Sequence, residues 1–138
     1  MTAPATLLHI EDVRPVVAEI LAPVADADPY VHTDVVDSLT PPALVLGWDD
    51  PWLEPGVGLA TMGPCLWTAR LEVACIAGRL EPGPGIDVLE TLVSYVIRHL
   101  QADVYRWPLE RVSAPLQRDL GGVTYLACNV VYAVPTAI

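Results

Sequence analysis

Lysine and phenylalanine are both missing from this chain, and cations as a whole are scarce. All seven positive side chains are arginines, against 17 carboxylates, for a formal net charge of −10. A protein that grips nucleic acid through its backbone needs several cations on one face to displace counterions. Seven arginines scattered from Arg14 to Arg118 in so acidic a chain exclude that class, and exclude an anionic-membrane binder on the same ground. Cysteine is also sparse: Cys65, Cys75 and Cys128 are odd in number and show no C-x-x-C spacing. They fit neither a disulfide framework nor a zinc knuckle. Cys75 and Cys128 fall within apolar runs, where a free cysteine serves as a small buried hydrophobe.

Signatures of chemistry are missing too. His9, His32 and His99 show no H-x-H or H-E-x-x-H arrangement. Ser38, Ser94 and Ser113 have no G-x-S-x-G elbow around them. The densest carboxylate group, Asp34, Asp37, Asp49 and Asp50, has no glycine-punctuated calcium loop and reads as turn chemistry. Gly56-Val57-Gly58 and Gly83-Pro84-Gly85 lack the continuation that would make either a phosphate loop. No cofactor, no metal and no catalytic role are expected. The first residues have neither the cationic start nor the apolar stretch of a secretory signal.

What is present is apolar. Hydrophobic residues make up 53% of 138 positions and the mean hydropathy is +0.43. That predicts either an unusually large core or outer surface buried against other subunits. The length predicts a single domain over residues 1–138. The uncharged run Leu120–Ile138 approaches membrane-span length. It opens on Gly121-Gly122, alternates with period two and carries Asn129 and Pro135, so it reads as a strand.

Helical spacing of Ile10, Val13, Val17, Ile20 or Leu21, and Val24 predicts a helix over 9–25. Pro15 suits only a first turn, which places the regular start near a capping Asp12. Residues 26–42 read as an irregular link, 43–48 as a strand buried on both faces, and 51–63 as a loop. Residues 65–79 read as one long strand, with Trp67, Ala69, Leu71, Val73 and Cys75 on one face and Thr68, Arg70, Glu72 and Ala74 on the other. A second helix is predicted over 86–102, with Ile86, Leu89, Val93, Val96, Ile97 and Leu100 inward. Residues 110–118 read as an edge strand because of Pro115, followed by a turn at 119–122. The closing strand over 123–134 buries Leu126, Cys128, Val130, Tyr132 and Val134, with Thr124, Tyr125 and Asn129 as its polar positions. The fold class is therefore α+β, a mostly antiparallel sheet with two packed helices.

Three stretches carry a family resemblance: the strand Leu66-Trp67-Thr68-Ala69-Arg70-Leu71-Glu72-Val73-Ala74-Cys75-Ile76-Ala77-Gly78-Arg79, the glycine-rich break into Ile86-Asp87-Val88-Leu89-Glu90-Thr91-Leu92, and the closing hairpin strand from Gly121-Gly122 to Val134-Pro135. In element order and texture the chain resembles the tail terminator proteins of long-tailed (siphovirus-type) bacteriophages, closest to those of actinobacterial phages. The resemblance implies a lambda-type tail-terminator fold and a structural virion protein. Its members form a ring, usually a hexamer, at the head-proximal end of the tail tube. The ring ends tube polymerisation and offers the head a docking surface. The implied partners are other copies of the chain, the major tail tube protein and a neck or head-completion protein. DNA passes through the channel without specific binding, as the acidic balance suits, and no membrane is involved. Another tail or neck ring protein and a small dimeric binding module are the alternatives; a small enzyme using Asp49, Asp50 or a histidine is a third class. Candidate interface residues are Trp52 in the expected loop, and Arg70, Glu72 and Arg79 on the expected long strand, which is expected to be able to pair across a subunit boundary.

Overall fold

A computed structural model describes residues 7–25, 28–33, 40–55, 66–80 and 85–138. The chain is α+β: seven strands form one mixed sheet, and two helices pack on it. In chain order the elements are β1 (Leu8–His9), α1 (Ile10–Leu21), β2 (Tyr30–His32), β3 (Ala43–Pro55), β4 (Leu66–Arg79), α2 (Ile86–Leu100), a 3₁₀ turn (Gln101–Asp103), β5 (Leu109–Val112), β6 (Leu116–Leu120) and β7 (Val123–Ala137). No helix is long and apolar enough to cross a membrane among the described residues.

The sheet is built on β4 and β7, antiparallel neighbours from Leu66↔Ala137 to Arg79↔Tyr125. β3 lies along the other edge of β4, and the short β2 runs parallel to the start of β3. The free edge of β7 is shared in succession by β6, β5 and β1. Most pairs are antiparallel; β1–β7 and β2–β3 are the parallel ones.

Side chains alternate across a strand, so each strand serves two faces. Leu44 and Leu46 of β3, Leu71, Val73, Cys75 and Ala77 of β4, and Cys128, Val130, Tyr132 and Val134 of β7 point to the helix side. There they meet Val13, Val17 and Leu21 of α1, Leu89, Leu92, Val96 and Leu100 of α2, and Trp107. A second cluster on the reverse face joins Val45, Ala74, Ile76, Tyr125 and Ala127, with Leu116, Leu120 and Val123 beside it. The Tyr95 hydroxyl of α2 donates to the Leu21 carbonyl (3.0 Å), satisfying one of the last carbonyls of α1 and fixing the two helices to each other.

Several expectations change. α1 starts at Ile10, with His9 at its N-cap and no side-chain cap, so Asp12 lies inside the first turn and caps nothing. Pro15 sits in the second turn, where it removes the N–H that would bond the Glu11 carbonyl; the buried stripe of Val13, Val17 and Leu21 holds the helix regardless. The helix ends at Leu21, leaving Val24 90% exposed rather than inward. β2 lies inside the expected link. The strand beginning at Ala43 does not end at Asp49-Asp50-Pro51 but continues to Pro55 through a bulge. On α2 the buried positions are Leu89, Leu92, Val96 and Leu100, while Ile86 is 44% exposed; the face is rotated toward Leu92. The expected strand over 110–118 is two strands, because Ser113–Pro115 interrupts the ladder. Tyr125 is buried, not a polar outer position, because the reverse-face cluster closes over it. Gly121 and Gly122 have φ of +56° and +81°, the double left-handed conformation of a two-residue hairpin joining β6 to β7.

Candidate assembly site

The reverse face changes character along its length. Beyond Ala74 and Ala127 the outward positions become Glu72, Arg70 and Asn129, and charged side chains from β3, β5 and β6 gather over them. Two bulges create this gathering. In β5, Leu109 opposes Tyr132 and Arg111 opposes Val131, so Glu110 is the extra residue. A bulge re-aims the side chains around it. Glu110 thereby accepts from Arg70 Nε (3.2 and 3.1 Å to its two oxygens) and from Arg111 Nη1 (2.7 Å). In β3, Trp48 opposes Leu71 and Leu53 opposes Ala69, so Asp49–Trp52 arch away from the ladder. That arch brings Asp49 onto Arg111.

The network closes on itself. Arg70 Nη1 lies 3.2 Å from Glu54 at an angle too poor for a hydrogen bond, and Arg118 lies 3.6 Å from Glu72. Arg118 also reaches Asn129 Oδ1 at 3.5 Å. Burial pushes the Glu72 carboxyl above its ordinary range; Asp49 adds to the shift and Arg118 opposes it. Ser113 fixes the break between β5 and β6: its N–H donates to the Asn129 carbonyl (2.8 Å) and its hydroxyl accepts from the Asn129 N–H (2.9 Å). With four carboxylates facing three arginines, these groups hold one another. No group of three or more histidines, cysteines or carboxylates is placed to hold a metal ion among the described residues.

Of the four sequence-predicted interface residues, the structure brings together only Arg70 and Glu72, side by side in this network. Trp52 belongs to the β3 arch rather than to a loop; it is 48% exposed and stacks on Trp48 with ring centroids 5.6 Å apart. Trp48 itself packs against the helix-side core. Arg79 is exposed at the far end of β4, ~30 Å along the strand from Arg70. The four therefore do not form one patch. Trp107 is a core residue at 3% exposure. β4 cannot pair across a subunit boundary, because β3 and β7 occupy both its edges. Sequence reading missed Asp49, Glu54, Glu110, Arg111 and Arg118 as a group, since nothing local marks the two bulges that assemble them. Asp34, Asp37, Ser38, Gly56, Gly58, Cys65 and Gly83 lie outside the described residues.

Two strand edges stay open. β2 covers β3 only over Ala43–Val45, so from Leu46 to Pro55 the outer edge of β3 has no strand partner among the described residues. On the opposite side of the sheet, β5 and β6 pair with β7 alone among the described residues, and all four residues of β5 are exposed, Leu109 and Val112 included. An unpaired edge is a template for another strand. No model of a known protein family matches the chain, and no curated protein matches it.

Proposed function

We propose that the chain is a structural subunit of a phage virion that closes head-to-tail into a hexameric ring at the head-proximal end of the tail tube. There it ends tube growth and presents the docking surface for the head. The observation that carries this reading is the pair of open edges: β3 on one side of the sheet, β5–β6 on the other, different in sequence and shape. A ring needs two different complementary surfaces on each subunit, whereas a two-fold dimer uses one surface twice and would leave the other edge bare. The half-exposed Trp52 beside one edge, and exposed Leu109 and Val112 on the other, are the apolar anchors an interface uses. The lambda-type terminator fold and the partners named above, the tail tube protein and a neck protein, rest on the sequence resemblance. The net charge of −10 suits a channel through which DNA slides without sticking.

Native mass spectrometry across concentration and salt tests this. Six copies are expected, with Trp52→Ala shifting the population to folded monomer. A stable dimer overturns the ring in favour of a binding module. A chain that stays monomeric at high concentration and also when mixed with tail tubes overturns it as well.

A further inference from the structure

Helix α2 does not seal its side of the sheet completely. Between its first turns and the β5–β6 edge lies a cleft of about 460 Å³, walled by Ile86, Leu89 and Val93 of α2 and by Val112 and Pro115. Glu90 and Ser94 of α2 also line it and bring hydrogen-bond acceptors to otherwise apolar walls. The cleft lies on the helix side of the sheet: Val112 opposes Val130, whose side chain belongs to the helix-side core. Its size falls within the ~300–1,000 Å³ of pockets that take small organic groups.

The opposite edge of the sheet carries a matching projection. Trp52, on the β3 arch, is half-exposed and stacks on Trp48. Trp48 packs against the helix-side core, so Trp52 stands on the same side of the sheet as the cleft. An indole has an apolar body and one N–H donor, the chemistry these walls accept. Within one subunit Trp52 is held on Trp48, with β4 and β7 between it and the cleft, so the occupant comes from another molecule. The charges favour a second copy of the chain. Leu46–Pro55 carries Asp49, Asp50 and Glu54 and no cation, whereas Arg106–Leu120 carries three of the seven arginines against Glu110 and Asp119. In a chain of net charge −10, the cleft edge is thus the one that attracts the arch.

We infer that Trp52 of one copy seats in the α2/β5–β6 cleft of the next, with its indole N–H donating to Glu90. Each subunit gives a projection at one edge and a cleft at the other, so the contact repeats in one direction. Continuing the sheet edge to edge keeps helix side beside helix side, which is where both halves of the contact stand. The head-to-tail direction rests on the ring reading above; the match between Trp52 and this cleft has its own test.

Native mass spectrometry is run on the wild-type chain, on Trp52→Ala, on Ile86→Trp and on an equimolar mixture of the two variants. Both positions are half-exposed, and circular dichroism checks that each variant is folded. Each variant alone is expected to need at least about a tenfold higher concentration than the wild type to assemble. Ile86→Trp fills its own cleft but keeps its projection, and Trp52→Ala keeps its cleft. The mixture is therefore expected to give a two-copy species with one of each, and to stop there because every further contact lacks one half. Either variant assembling as readily as the wild type overturns the inference and leaves the ring standing. Variants that are monomeric alone and fail to pair when mixed overturn it too. A wild-type dimer that both substitutions dissolve removes the ring and keeps the contact. A wild-type chain that stays monomeric alone and with tail tubes overturns both.

Discussion

On the helix-covered face, the inward positions Leu71 to Ala77 on β4 and Cys128 to Val134 on β7 are all at most 3% exposed. On the reverse face the same two strands change from Ala74, Ile76 and Ala127 at one end to Arg70, Glu72 and Asn129 at the other. The first face is apolar and shaped by close packing; the second is organised by charges whose positions depend on two bulges. One pair of strands thus builds a face that resists change next to a face that tolerates it. The ring subunit proposed above would have use for that division, with one side rigid and the other free to meet partners.

The largest test of this contrast is Leu71→Ala. Leu71 is fully buried between the helices and the sheet, so its truncation is expected to cost about 2–5 kcal/mol in urea unfolding. A loss under about 1 kcal/mol would show that the helix-side packing is looser than its burial indicates. Tyr132→Phe is a smaller test with the opposite sign. The Tyr132 hydroxyl is buried on the apolar face without a hydrogen-bond partner among the described residues, so removing it is expected to stabilise the fold by about 1 kcal/mol. Burial, with Cys75 adding to it, pushes this phenol up to about 12. The folded state therefore holds the proton more tightly than the unfolded chain, whose tyrosines ionise near ~10. Stability is full below that value and falls as pH rises through the folded one, and Tyr132→Phe removes this part of the alkaline loss.

How much of this was legible follows the same division. The alternation over residues 67–75 separated the two faces of β4, because apolar and polar residues differ at every step from Trp67 to Val73. The two helices and the final hairpin were legible for the same kind of reason. β1 and β2 were not: two and three residues long, they are strands only because distant partners, Thr136–Ala137 and Ala43–Val45, lie beside them. Leu92 was overlooked on α2 because apolar residues at six other positions also fit a helical stripe. The charged network was not legible at all. Its members lie as far apart as Asp49 and Arg118, and the Glu110 bulge that joins them leaves no local pattern.

The smallest expected effect belongs to the reverse face. Glu72 is half-buried, and its carboxyl is raised chiefly by that burial. A raised folded value means a contribution that is full below the ordinary carboxyl range and is lost as pH rises through the shifted one. Glu72→Gln should leave stability at pH 4 nearly unchanged and lessen the loss between acid and neutral pH, read as thermal midpoints across that range. A steeper loss in the variant would mean that the Arg118 pairing outweighs burial.

One feature of the sheet bears on how the chain comes into being. β7 follows every other strand in sequence, yet β1, β4, β5 and β6 all take it as their neighbour. At a ribosome adding ~5–20 residues each second, β3 and β4 wait several seconds for the strand that completes them. During that wait the apolar flank of the β3–β4 hairpin is open to the wrong partner, including the same hairpin of a neighbouring nascent chain. Production of the protein should therefore respond to growth temperature and to chaperone supply more than the finished molecule's stability would suggest.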